Sequence, residues 1–223
     1  MRRHIRRIAA LLRRTPLHPQ WLLGARAVPQ GLAQARGMLL DVGAADRWLE
    51  GRLTDDVRYV ALDYPQTGGV LYGARPSVFA DAVALPFPDA VFDGVACLEV
   101  IEHVPDPQQV LCEIARVLKP GGRAWVSMPF LYPLHDAPYD FQRYTEFGLA
   151  RDARRAGLRV VKLQRSLHAV RTAGLLLCLA LAGGVVAGHS RIPAINLSAW
   201  LLGCLWPDWT HLTAGHCVEL ERA

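Results

Sequence analysis

From residue 38 to the end of the chain, short apolar runs alternate with segments whose apolar residues recur at helical spacing. That alternation predicts a parallel sheet with helical crossovers, an α/β fold. Residues 38–42 read as a buried strand, followed by Gly43-Ala44-Ala45 and a helix over 46–53. Residues 57–62 form the second strand, ending at Asp63. Residues 77–81, 92–98 and 123–128 are the third to fifth strands. Between the last two lies a sharply specified helix. Asp106 caps it, Pro107 suits its first position, and Val110, Leu111, Ile114, Val117 and Leu118 share one face. Pro120-Gly121-Gly122 stops it. A helix over 146–156 and a strand over 158–163 follow. In residues 215–221 Val218 and Leu220 alternate with Glu219 and Glu221, the pattern of a half-exposed, antiparallel strand.

Two regions depart from this rhythm. Residues 2–14 read as a helix with Ile5, Ile8 and Leu12 on one stripe, and a second helical stretch spans 21–36 with a break near Pro29. Residues 167–206 are strongly apolar. The nineteen positions between Arg171 and Arg191 lack Asp, Glu, Lys and Arg, about the length that crosses a hydrocarbon core of roughly 30 Å. Trp200, Trp206 and Trp209 cluster near the end, as interfacial aromatics do. Three readings stand: a two-span hairpin, a membrane-surface or re-entrant element, and a buried cap or dimer element. The resulting division is a basic helical arm (1–36), a core (37–166), an apolar insert (167–209) and a final core strand (210–223).

With 223 residues, 52% hydrophobic and 20% charged, the composition is globular and excludes a disordered or fibrous protein. The net charge of +5 is uneven: residues 1–14 hold six Arg and no acid, and the remainder is −1. A neutral body argues against nucleic-acid binding. Five cysteines without a CxxC pair, each among apolar neighbours, point to a reducing compartment and against thiolate metal sites. The N-terminus shows no apolar run or small-residue cleavage site, which argues against a secretory signal. The expected location is cytoplasmic, peripheral on a membrane.

The Gly turn after the first strand carries the first chemical clue. An acid at the strand end followed by Gly43 lets backbone approach a ligand, and Asp63, twenty residues on, can accept two ribose hydroxyls. Alone this describes any adenosine binder. The stretch DAVALPFPDAVFDGVACLEVIEHVPDPQQVLCEIARVLKPGGRAWVSMPF over residues 81–130, with LLDVGAAD and YVALD before it, closely resembles the S-adenosylmethionine-dependent methyltransferases of Rossmann-like fold, in the type 11 group. The resemblance covers about residues 38–165 and resumes at the last strand. It implies a seven-stranded, mostly parallel sheet with an antiparallel last strand, and S-adenosylmethionine as cofactor. By motif, Asp41 and Gly43 belong around the methionine part of the cofactor, with Ala45 in the same loop. Asp63 is implied to hold the ribose, Asp81 and the Ala82 amide the adenine, and Glu99 to lie beneath the cofactor or face the substrate. The sequence departs from the family where Ala45 and Arg47 replace alternating glycines; Ala45 disfavours a positive φ, and Arg47 reads as the start of the next helix.

Candidate catalytic residues lie beyond the fourth and fifth strands. Glu102 and His103 form an acid–imidazole pair at a strand's carboxyl end, where open α/β sheets place ligands. The loop PFLYPLHDAPYDFQRYT carries His135, Asp136, Asp140, Arg143 and Tyr144; His135 is the first candidate to touch the acceptor, or Asp140 and Arg143 simply brace the loop. No metal site is expected. The expected activity is methyl transfer to a small-molecule, sugar or lipid acceptor, with membrane-surface contact and a homodimer through the insert as further expectations. The competing reading is a non-catalytic, membrane-associated relative of the same fold.

Overall fold

The computed structural model describes residues 14–24, 26–68, 75–167, 169–182, 191–206 and 212–223. Residues 1–13 of the basic arm, with Ile5, Ile8 and Leu12, and Trp209 therefore lie outside the described residues. Seven strands form one sheet: β1 (Gly37–Val42), β2 (Val57–Asp63), β3 (Val78–Phe79), β4 (Phe92–Leu98), β5 (Leu118–Pro129), β6 (Leu158–Arg165) and β7 (Gly215–Arg222). Their order is β3-β2-β1-β4-β5-β7-β6, with β7 antiparallel in an otherwise mostly parallel sheet. β1 lies inside the sheet and pairs in parallel with β2 and β4, Asp41 facing Ala61 on one side and Ala96 on the other. Toward their carboxyl ends these strands are buried on both faces, Leu39–Val42 in β1 and Ala61–Asp63 in β2.

Helix α1 (Pro107–Val117) forms as its pattern predicts. Asp106 accepts the Gln109 amide at 3.0 Å, and Val110, Leu111, Ile114 and Val117 are fully buried. Arg116 on this helix pairs with Glu113 and Asp89 and donates to the carbonyls of Leu85 and Phe87, while Glu113 accepts the Leu85 amide. One guanidinium thereby shapes the whole 81–90 loop. After α1, Leu118 pairs with Phe92 and Arg123 with Gly94, so Lys119–Gly122 loops out between them, with Gly121 at φ 74°. Helix α2 (Glu146–Arg155) starts at Thr145, whose hydroxyl accepts the Gly148 amide at 3.1 Å.

Two expected helices do not form. Residues 21–36 hold only single turns at Trp21–Leu23 and Leu32–Gln34, because Gly24 (φ 68°), Pro29 and Gly31 (φ 95°) interrupt the ladder. Residues 46–53 are turns ending in Glu50–Arg52, for a reason that belongs to the site.

The chain divides into two compact units. One, residues 28–130, 134–164 and 216–223, holds the sheet, α1 and α2. The other, residues 1–27, 131–133 and 165–215, holds α3 (Ala169–Ala182) and α4 (Ile192–Leu205). These two helices cross closely, since a Cβ at Gly174 would overlap that of Ala199. Buried Asn196 on α4 donates to the carbonyls of Pro16 and His18 at 2.7 and 3.0 Å and tethers the 15–24 turn. At 14 residues each, α3 and α4 are about 21 Å long. No helix among the described residues is long and apolar enough to cross a membrane. Cys204, expected among buried neighbours, is exposed on α4, whose outer face is apolar yet open.

Candidate active site

The carboxyl ends of β1, β2 and β4 bring the predicted cofactor residues to one edge of the sheet. β1 ends just past Asp41, which is 3% exposed and accepts a hydrogen bond from the Tyr59 hydroxyl of β2. Burial pushes the Asp41 carboxyl up to about 7, partly offset by that hydroxyl. Tyr59 opens the YVALD segment of β2, but only sheet pairing brings it beside Asp41. Gly43 follows at φ 74°, where any Cβ would run into Val100. The Gly43 and Ala44 amides donate to the Leu62 carbonyl, at 2.9 and 3.0 Å.

Asp63 organises the rest of this loop. Its Oδ2 accepts the Ala45 amide at 2.7 Å and its Oδ1 the Tyr64 amide at 2.8 Å. Held there, Ala45 takes φ 44° and Arg47 φ 55°, both left-handed without glycine. Arg47 therefore does not begin a helix: its amide returns to the Ala44 carbonyl at 2.7 Å, and its guanidinium grips Glu50. The backbone expected of a glycine-rich loop is kept although two of the glycines are not. Burial raises the Asp63 carboxyl, and its two amide donors oppose the rise. Asp81 lies past β3, one carboxylate oxygen accepting the Val83 amide at 3.1 Å, and Ala82 beside it is buried.

Glu99 follows β4 at φ 58°, exposed, and receives the Ser127 hydroxyl at 2.8 Å. Next comes a single turn, Ile101–His103. The loop after β5 is strapped onto this turn. Phe141 donates its amide to the Glu102 carbonyl at 2.9 Å, Gln142 donates to Ile101 and Val104, and His103 Nδ1 meets the Tyr139 carbonyl at 2.8 Å. The strap sets His135 edge-on to His103, ring centroids 4.9 Å apart. Asp140 and Arg143 form a bidentate pair, the loop brace expected as the plain alternative, and Asp140 also accepts the His135 amide at 3.0 Å. The Arg143 guanidinium holds the Asp140 carboxyl well below the usual carboxylate range. Burial lowers the His103 imidazole and raises the Glu102 carboxyl, to which the Glu99 charge adds.

The structure thus brings Asp41, Gly43, Ala45 and Asp63 into one cluster and Glu102, His103 and His135 into another. A groove lined by Gln34, Arg36, Asp93, Lys119 and Arg123 opens at the opposite, amino ends of the strands and contains none of them.

Residues 40–126 match the family model of a methyltransferase domain. The ubiquinone biosynthesis O-methyltransferase of Dechloromonas aromatica (strain RCB) is 31% identical over 125 residues, 50% of this chain and 53% of that protein. Across the first curated relatives, the matched stretch spans 15–53% of their length. Among solved structures, the cyclase SpnF superposes with a TM-score of 0.57 at 19% identity, covering 97% of this chain and 80% of its own. Phosphoethanolamine N-methyltransferase 2 of Haemonchus contortus, in complex with S-adenosyl-L-methionine, gives 0.52 at 15%, covering 96% and 59%. The solved structures establish the Rossmann-like fold, and over residues 40–126 the chain carries a methyltransferase domain.

Proposed function

We propose that this chain transfers a methyl group from S-adenosylmethionine to a hydroxyl oxygen of a small-molecule acceptor. The observation that carries the reading is the left-handed loop 43–47 held by Asp63 at the carboxyl edge of the sheet. The residues fit the cofactor. Each Asp63 oxygen accepts one amide and keeps a second lone pair for a ribose hydroxyl. Asp81 uses one oxygen on Val83 and presents the other to an adenine amino group, beside buried Ala82. Asp41 and the loop at Gly43 and Ala45 hold the amino-acid end, and Glu99 borders the reacting methyl.

The bound cofactor supplies a methyl group on a sulfonium, already activated for transfer. The chain's residues therefore act chiefly by orientation, holding the acceptor oxygen in line. His135 and His103 face the acceptor side and orient its hydroxyl, whose proton leaves to water as the methyl group is transferred. The O-methyltransferase named among the relatives supports an oxygen acceptor. Residues 37–166 and 210–223 form the catalytic core in this reading, and 167–209 an accessory element. Leu197, Trp200, Leu201, Leu205 and Trp206 are exposed on and just beyond α4, which supports contact with a lipid surface; co-sedimentation with anionic vesicles tests this, and concentration-dependent dimerisation without vesicle binding would replace it.

SpnF, named a cyclase, shows why the fold alone does not decide activity. Calorimetry with S-adenosylmethionine and S-adenosylhomocysteine does. Binding of both is expected; failure of both at millimolar concentration would leave the non-catalytic reading in its place.

A further inference from the structure

Glu102 poses a problem that methyl transfer does not solve. Its side chain is fully buried, and neither carboxylate oxygen has a hydrogen-bond partner among the described residues. A carboxylate removed from water without a donor is costly, and native folds rarely tolerate one without a counterion or metal. Two imidazole nitrogens lie close to Glu102. His103 Nε2 lies 3.6 Å from Glu102 Oε1 and His135 Nε2 lies 4.0 Å from it, both beyond hydrogen-bond range.

The other nitrogen of each ring is engaged. His103 Nδ1 meets the Tyr139 carbonyl at 2.8 Å, and His135 Nδ1 meets Asp140 Oδ2 at 3.2 Å. Both neighbours are acceptors, so each Nδ1 carries the proton and each Nε2 directs a lone pair toward Glu102. This is how metal-ligating histidines are set: the outer nitrogen donates to a carbonyl or carboxylate, which fixes tautomer and ring angle. Arg143, bidentate on Asp140, holds the second support in turn.

We propose that Glu102, His103 and His135 bind a divalent transition-metal ion of the zinc class. The ligand atoms all lie within 4.8 Å of one another. Ligands at about 2.0–2.2 Å from a tetrahedral ion are roughly 3.3–3.6 Å apart, so small side-chain rotations close the set. Two imidazoles and one carboxylate select Zn2+, Co2+ or Mn2+ over Mg2+ and Ca2+, which take oxygen ligands. Three protein ligands leave a coordination position for water or another oxygen. Asp136 Oδ2, 3.9 Å from His103 Nε2, stands at the rim. The sequence expectation of no metal site rested on the cysteines; the strap adds His135 to the adjacent Glu102 and His103.

The site does not rest on the methyl-transfer reading, and metal binding alone tests it. Full-length protein, stripped with a chelator and dialysed, is titrated with Co2+ and read by its visible d–d absorption, then competed with Zn2+. A saturable spectrum of one ion per chain, displaced by Zn2+, is expected. Glu102→Gln, His103→Ala and His135→Ala should each weaken Co2+ binding at least about tenfold, and Asp140→Asn about 10–100-fold through the His135 tautomer. The His103 and His135 variants, at partly exposed positions, keep the test decisive if Glu102→Gln does not fold. No Co2+ or Zn2+ binding by the wild type, or wild-type binding in folded His103→Ala and His135→Ala, overturns the proposal. Calorimetry with S-adenosylhomocysteine on the same samples separates the two claims: cofactor binding without metal refutes only the site, and metal binding without cofactor refutes only the methyl-transfer reading.

Discussion

Asp41 and Glu102 are buried acids beyond or at the carboxyl ends of adjacent strands, yet they are treated in opposite ways. Asp41 shares a hydroxyl with Tyr59, and its neighbour Asp63 ties down two amides, so the β1–β2 cluster is satisfied from within. Neither Glu102 oxygen has a hydrogen-bond partner among the described residues, and two imidazole nitrogens lie 3.6 and 4.0 Å from Oε1. A closed network fixes a backbone; an open one is completed by something it binds. The first cluster is therefore scaffold for a ligand that approaches it, and the second is where chemistry is left to be done.

The largest expected effect separates the clusters functionally. His135→Ala should reduce methyl transfer by about 100-fold or more while leaving S-adenosylhomocysteine affinity unchanged. Equal loss in single-turnover rate and calorimetric affinity would make the two clusters one structural unit. Asp63→Ala works from the other side. Losing a charged acceptor for the ribose and for two amides should cost about 1–3 kcal/mol of cofactor affinity. Wild-type affinity in that variant would mean the cofactor is held elsewhere.

Asp41 gives the comparison a pH signature. Its carboxyl is raised from an ordinary 3.8 to about 7, with Asp63 and Asp46 adding to the rise and Arg47 opposing it. Between those values the folded state binds more protons than the unfolded, so stability is complete below the lower value and declines as pH rises to about 7. Glu102 acts in the same direction; His103, lowered by burial, acts in the opposite one, gaining stability as pH rises toward the ordinary imidazole range. Asp41→Asn isolates the first contribution. In chemical denaturation at pH 5 and pH 8, the wild type should lose on the order of 2 kcal/mol more than the variant. An identical pH response would show that Asp41 titrates normally.

The smallest effect concerns Ala45, held at φ 44° by the Asp63 contact. Ala45→Gly should relieve about 0.5–1 kcal/mol of backbone strain and raise the melting temperature by about 1–4 °C, without weakening the cofactor. A lower melting temperature would show that the methyl group packs productively there.

Much of the sheet was legible because β1, β4 and β5 are largely buried and read as apolar runs between turn residues. Residues 92–98 and the capped helix from Pro107 are nearly as expected, since cap, stripe and stop agree there. The failures are where a local pattern met a tertiary contact. Residues 46–53 have helix-forming composition, but Asp63 draws the Ala45 amide out of line and the ladder never starts. The α3–α4 region was legible as apolar and helical, but its charge-free run did not reveal that Gly174 on α3 packs against Ala199 on α4.

The same division holds for the site. Local spacing along the chain determined the fold class, the strand-end acids Asp41 and Asp63, and the acid–imidazole pair Glu102–His103, because each depends on residues close in sequence or on a motif's order. Tertiary structure alone decided that Tyr59 satisfies Asp41, that Asp140 orients His135, and that two imidazoles converge on an unpartnered carboxylate. Those contacts join residues 18 to 33 positions apart or the two ends of a strapped loop, and their geometry is set by strand pairing and backbone hydrogen bonds that leave no periodic trace in the amino-acid order.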